Sequence, residues 1–122
     1  MEGKVKRITF NSRDELLRME IDKIVYFEAN GNYTYVVTKN KLKGMIGMSL
    51  AKTELALTQQ LGIEARRFMR VGKRFIVNFE HVYSINPGKQ RLVLSDLENF
   101  SFQLPLSKGA LRQMKELLTK NK

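Results

Sequence analysis

The sequence has no cysteine and no tryptophan, and one histidine and two prolines among 122 residues. Without cysteine there is no disulfide framework, thiol nucleophile, zinc ribbon or iron–sulfur site, and a reducing cytoplasm is the compartment that this usage fits. The lone imidazole, His81, is too sparse a ligand set for a metal centre. Long apolar runs are also missing. Stretches such as Ile24–Phe27 and Phe75–Val77 fall far short of the roughly 20 residues that cross a bilayer, and no signal-peptide pattern opens the chain. A cytoplasmic protein without a membrane span is expected. Catalysis has little to stand on. Glu80 and His81 are neighbours, but read as strand residues they point to opposite faces, and no nucleophile accompanies them; capping or bonding a turn is their expected role. Gly72-Lys73 and Gly44 to Gly47 lack the first glycine and the Lys-Ser/Thr ending of a phosphate loop. Asp14, Asp22 and Asp96 lack the alternating spacing of a calcium loop. No enzyme, metal or cofactor is expected.

What is present is an ordinary globular balance, 43% hydrophobic and 28% charged, in a chain of one-domain length. The net charge of +10 is unevenly placed. Residues 66–91 hold Arg66, Arg67, Arg70, Lys73, Arg74, Lys89 and Arg91 against Glu80. Residues 105–122 hold Lys108, Arg112, Lys115, Lys120 and Lys122 against Glu116. Those two segments carry the whole surplus, and the remainder cancels at ten basic and ten acidic residues. Such segregation points to a positive face for a polyanion, with nucleic acid first among partners. A solvated basic surface without a dedicated partner is the plain alternative.

Strand signals dominate. Lys4–Phe10, Leu16–Ile21, Ile24–Glu28, Tyr33–Thr38 and Leu42–Ile46 read as a meander of short strands, with a hairpin at Ala29-Asn30-Gly31-Asn32 and a turn at Asn40-Lys41. Ser49 is placed to cap a helix over about 50–60 that carries Leu50, Leu57 and Leu61 on one face and stops at Gly62. Further short strands follow at Phe68–Val71, Arg74–Val77, Val82–Ile85, Arg91–Leu94 and Phe100–Leu104. Turns at Asn86-Pro87-Gly88-Lys89 and Ser95–Asn99 join them. Ser107, after Pro105, caps a last helix to about Leu118 with Leu111, Met114 and Leu118 on one stripe. The reading is a single, mainly β domain with two helices and no βαβ alternation.

The segment Phe68–Asn78, FMRVGKRFIVN, sets cations between residues that require burial. Phe68, Val71, Phe75 and Val77 anchor it, so Arg70, Lys73 and Arg74 project from a fixed backbone, and Gly72 allows a sharp turn. A cationic loop held at both ends suits DNA, where phosphate contacts need charge and base contacts need fixed aim. The plain alternative is a basic turn on a solvated surface.

Taken in order, IVYFEANGNYTYVVT, the Leu-rich helix, FMRVGKRFIVNFEHVYSI and LPLSKGALRQMKELL resemble the LytTR family of bacterial DNA-binding domains, over about residues 8–118 of a single domain spanning 1–122. The resemblance implies an elongated assembly of small antiparallel β-sheets with short helices, in transcription regulators of two-component systems where a receiver domain precedes it. It implies binding to imperfect direct repeats in promoters, two domains per site, as a homodimer on DNA, with loops entering successive major grooves of double-stranded DNA. Carried over by motif, one loop is Asn32, Tyr33 and Thr34, a second is Lys73 and Arg74, and a third is Lys108. Arg70 and Arg112 are expected to hold phosphates. Asn78 and Ser107 are expected to be structural, and aromatics alternating in a strand, Tyr33 and Tyr35, are more often core than base contacts. Gly109 stands where the family commonly has another basic residue. Lys at 73 and 108 aims less rigidly than Arg. The rival reading is a basic protein-interaction module that meets an acidic partner. RNA binding would want an open aromatic sheet face, which Tyr33 and Tyr35 alone do not make.

Overall fold

The computed structural model describes residues 6–120. Lys4 and Val5 of the expected first strand lie outside that range. Among the described residues ten strands form three antiparallel sheets. β1 (Arg7–Asn11) and β2 (Leu16–Glu20) make a hairpin. The central five-stranded sheet runs β5-β4-β3-β7-β6, from β3 (Ile24–Asn30), β4 (Tyr33–Thr38), β5 (Lys43–Ile46), β6 (Phe68–Val71) and β7 (Phe75–Asn78). β8 (Val82–Asn86), β9 (Arg91–Ser95) and β10 (Ser101–Pro105) form the third sheet.

The central sheet is covered on both faces, which explains why β3 and β7 read as continuous apolar runs. Phe27, Val36, Phe68 and Ile76 face a core completed by Ile8 and Phe10 of β1 and by Leu50, Leu57 and Leu61 of α1 (Leu50–Leu61). On the opposite face Val37, Val71, Phe75 and Val77 pack with Leu92, Leu94 and Leu104 of the third sheet and with Leu111 and Met114 of α2 (Lys108–Lys120). Each fully buried Phe or Ile contributes about 1.5–3 kcal/mol. A bulge between Ile24 and Tyr26 sends the consecutive Val25 and Tyr26 into the same core, because the extra residue breaks strict alternation.

Local signals act as read. Ser49 accepts the Lys52 N–H and opens α1, and Ser107 Oγ accepts the Ala110 N–H at 3.1 Å at the start of α2. α1 ends at Leu61 with Gly62 as its C-cap at φ 57°, as expected, and a 3-10 segment, Gly62–Arg67, follows. Glu80 and His81 lie in a 3-10 turn, Phe79–His81, in keeping with the turn role expected of them. One expectation is corrected: Leu118 is 42% exposed, so the buried stripe of α2 ends at Met114. Among the described residues no helix is long and apolar enough to cross a membrane.

Candidate nucleic-acid interface

At one end of the central sheet β3 finishes and β7 begins, since Glu28 pairs with Phe75. Three pieces of chain meet there. The β3–β4 hairpin closes through Gly31 and Asn32, both exposed, and Tyr33 follows, 51% exposed. Tyr33 is therefore not core. It pairs with Asn30 on β3, but β5 first reaches β4 at Thr34, so no neighbour covers it. Thr34 points inward, fully buried, and donates from Oγ1 to the Met48 carbonyl at 2.9 Å. That corrects its expected role: its hydroxyl faces α1 and cannot reach a duplex.

The second piece is the turn at residues 72–74 between β6 and β7. Gly72 adopts φ 63°, a left-handed conformation that costs other residues about 1 kcal/mol or more. The Ala29 N–H donates to the Arg74 carbonyl at 2.8 Å and ties this turn to the hairpin. Two arginines brace it further. Arg74 donates to Glu28 Oε2 at 2.5 Å, and its guanidinium carbon lies 5.1 Å from the Phe75 ring centroid, yet its side chain stays 60% exposed. Arg70 pairs with Glu54 of α1 at 3.5 Å and donates to the Lys73 carbonyl at 3.3 Å. Lys73 is exposed and has no ion pair among the described residues. Of the three cations expected to project from a fixed backbone, Lys73 has no ion pair among the described residues and the other two are aimed by carboxylates.

The third piece is the approach to α2. A Cβ at Gly72 would stand 3.7 Å from Leu106 Cδ2, and the Leu106 N–H donates to the Gln90 carbonyl at 3.3 Å. Leu106 thus lies between the 72–74 turn and the turn that carries Lys89. Lys108 and Arg112 are exposed one helical turn apart, spacing that sets both on one face of α2. Asn32, Tyr33, Lys73, Arg74 and Lys108 are brought to one end of the fold, and Lys89 joins them. Lys89 belongs to the basic surplus, and its place in the Asn86-Pro87-Gly88-Lys89 turn is the sequence signal for it. The surplus is not all gathered there. Arg66 and Arg67 border a cleft with Ile63, Phe79 and Leu118. At that site Arg67 is held by Asp22 at 2.5 Å and by Glu64 at 3.0 Å. Burial works against the Arg67 charge, but these two carboxylates outweigh it and hold its pKa above the usual value.

Polar groups between the sheets serve structure. Asn78, fully buried, donates to the Ile24 carbonyl at 2.9 Å and accepts the Glu80 N–H at 3.0 Å. His81 lies with Nε2 3.0 Å from the Asp22 carbonyl oxygen and its ring edge-on to Phe100. No group of three or more potential metal ligands occurs among the described residues.

Small antiparallel sheets thus hold an exposed cationic turn on a fixed backbone at one end of the fold. The chain belongs to the family described as the LytTr DNA-binding domain, whose profile matches residues 14–119; these are DNA-binding domains of transcription regulators. It is 27% identical over 114 residues to the heme-containing CO-sensing transcriptional regulator RcoM 1 of Paraburkholderia xenovorans (strain LB400) and 28% identical to RcoM 2 of the same organism. In each case the match covers 92% of this chain and 39% of the relative, so the chain spans about two-fifths of their length. Among solved structures it is similar to the LytTr DNA-binding domain of a Bacillus cereus protein described as a methyl-accepting/DNA response regulator. That match has a TM-score of 0.65 and 27% identity, covering 96% of this chain and 99% of the other.

Proposed function

We propose that this domain reads double-stranded DNA at promoter direct repeats in the cytoplasm, two domains per site, as the DNA-binding part of a transcription regulator. The observation that carries the reading is the 72–74 turn, locked to the β3–β4 hairpin through Ala29 and braced by Arg70 and Arg74, with Lys73 left exposed. Base contacts need cations whose backbone does not move, and this turn supplies one. Asn32 and Tyr33 at the hairpin tip and Lys108 at the start of α2 are the companion contacts. Arg74, held over Phe75 and by Glu28 but mostly exposed, presents its free guanidinium edge to the groove or to a phosphate. Arg112 takes a phosphate. Arg70 is committed to Glu54 and the Lys73 carbonyl, so it acts by holding the turn in register as well as by its charge. In a longer regulator a receiver or sensor domain supplies the signal, and dimerisation on DNA follows the repeat. We assign the domain no catalytic step.

Selection from a random duplex library with the purified domain tests this, followed by titration of the best duplex against a scrambled one across salt. A spaced direct repeat, bound about a thousandfold or more above scrambled DNA, is expected. A steep salt dependence without any enriched motif would reduce the face to electrostatics and overturn the reading.

A further inference from the structure

At the other end of the β3–β4 hairpin, about 20 Å from the reading tips at the usual strand rise, the chain forms a cleft of about 750 Å³. Lys23 just before β3 and Lys39 and Lys41 just after β4 line it, with Leu42 and Asn99. None of the three lysines has an ion pair among the described residues. On neighbouring segments Asp22 is held by Arg67, and Asp96 accepts the N–H groups of Glu98, Asn99 and Phe100. Glu80 shares an adjoining cleft with Lys39 and His81.

The cleft is held by its backbone. The Lys39 N–H donates to the Lys23 carbonyl at 2.9 Å, and the Lys41 N–H donates to the Thr38 carbonyl at 2.9 Å. Asn40 Oδ1 accepts from Thr38 Oγ1 at 2.6 Å and from the Leu42 N–H at 3.2 Å. Within that frame Lys41 sits at φ 69°, where glycine or asparagine is cheaper and where an L side chain is retained at a cost in strain. Leu42 is 63% exposed between the lysines.

We propose that this cleft docks an acidic peptide segment bearing an aliphatic side chain, the carboxylates meeting Lys23, Lys39 and Lys41 and the aliphatic group covering Leu42. Charge complementarity selects an acidic partner. The leucine selects a peptide over a duplex, because a phosphate backbone offers it nothing to bury against. The proposal does not depend on which sequence the opposite end reads.

The test uses the whole chain and a labelled synthetic peptide of alternating Asp/Glu and Leu, followed by fluorescence anisotropy. Three competitors accompany it: the same peptide with Ser for Leu, an all-Glu peptide, and the library-selected duplex. Saturable binding is expected, about tenfold weaker for the leucine-free peptides. Leu42→Ser and the double variant Lys39→Glu/Lys41→Glu should each lose about tenfold for the acidic–aliphatic peptide while duplex affinity holds. Lys41→Gly relieves the strained turn, so it should raise the Tm and yet weaken peptide binding, a pair of effects that a merely structural lysine would not give. No saturable peptide binding, equal binding of all polyanions, or loss of duplex affinity in the lysine variants would overturn the proposal.

Discussion

The two ends of the central sheet are built from the same strands and treat their polar groups in opposite ways. Where β3 ends and β7 begins, the side chains of Tyr33, Lys73 and Arg74 stand in solvent while the backbone beneath them is tied down. Where β7 ends, Asn78 and His81 are buried and their side chains are spent on main-chain partners of the segment around Ile24. The buried groups at the second end have partners within the fold, whereas Lys73 at the first has no ion pair among the described residues. A buried, satisfied amide is costly to disturb, whereas an exposed lysine costs the fold nothing to change.

The sharpest break of that contrast is Asn78→Leu. It strands the Ile24 carbonyl and the Glu80 N–H together, and a loss of about 2–3 kcal/mol in urea unfolding is expected, with DNA affinity per folded molecule unchanged. At the other end the signs reverse. Lys73→Ala should leave unfolding unchanged and cost about 1–2 kcal/mol in binding to the selected duplex, concentrated at one base position if it reads a base edge. Arg70→Ala should weaken every duplex and, because the turn loses its brace, also blunt the preference at the Lys73 position. Equal, uniform losses from both would erase the division between a reader and a positioner. The smallest effect is a pH slope. Burial pushes the His81 pKa below its ordinary 6.5, against the partial support of the Asp22 carbonyl and with Lys39 adding to the depression. The unfolded chain then binds the proton more readily, so stability falls as pH drops through 6.5 and levels off below the folded pKa. With a single histidine in the chain, His81→Leu should flatten that slope between pH 7 and 5.

Local features were legible in the sequence. The caps at Ser49 and Ser107, the hairpin at Gly31 and the turn at Asn86-Pro87-Gly88-Lys89 each follow from residues within a few positions of one another, and the resemblance supplied the arrangement of sheets. What the sequence did not disclose lies across the chain. Thr34 reads like any residue near a hairpin, and its burial depends on Met48 at the entry to α1. Tyr33 carries the pattern of a core aromatic but sits past the end of β5. The partners that aim Arg70 and Arg74, Glu54 and Glu28, are 16 and 46 residues away, and no local spacing reveals them. The 3-10 segment after Gly62 was hidden because glycine there reads as a stop.

The pairing of β3 with β7 joins segments about 50 residues apart in sequence. Such a contact forms late, because a long loop must close before it gains anything. The turn at 72–74 takes its place from that pairing, so Lys73 gains a fixed backbone only once this long-range contact has closed. A nascent or half-folded chain is already strongly basic, but none of its cations is yet held in place. On the proposed reading, selectivity for a sequence reports completed folding.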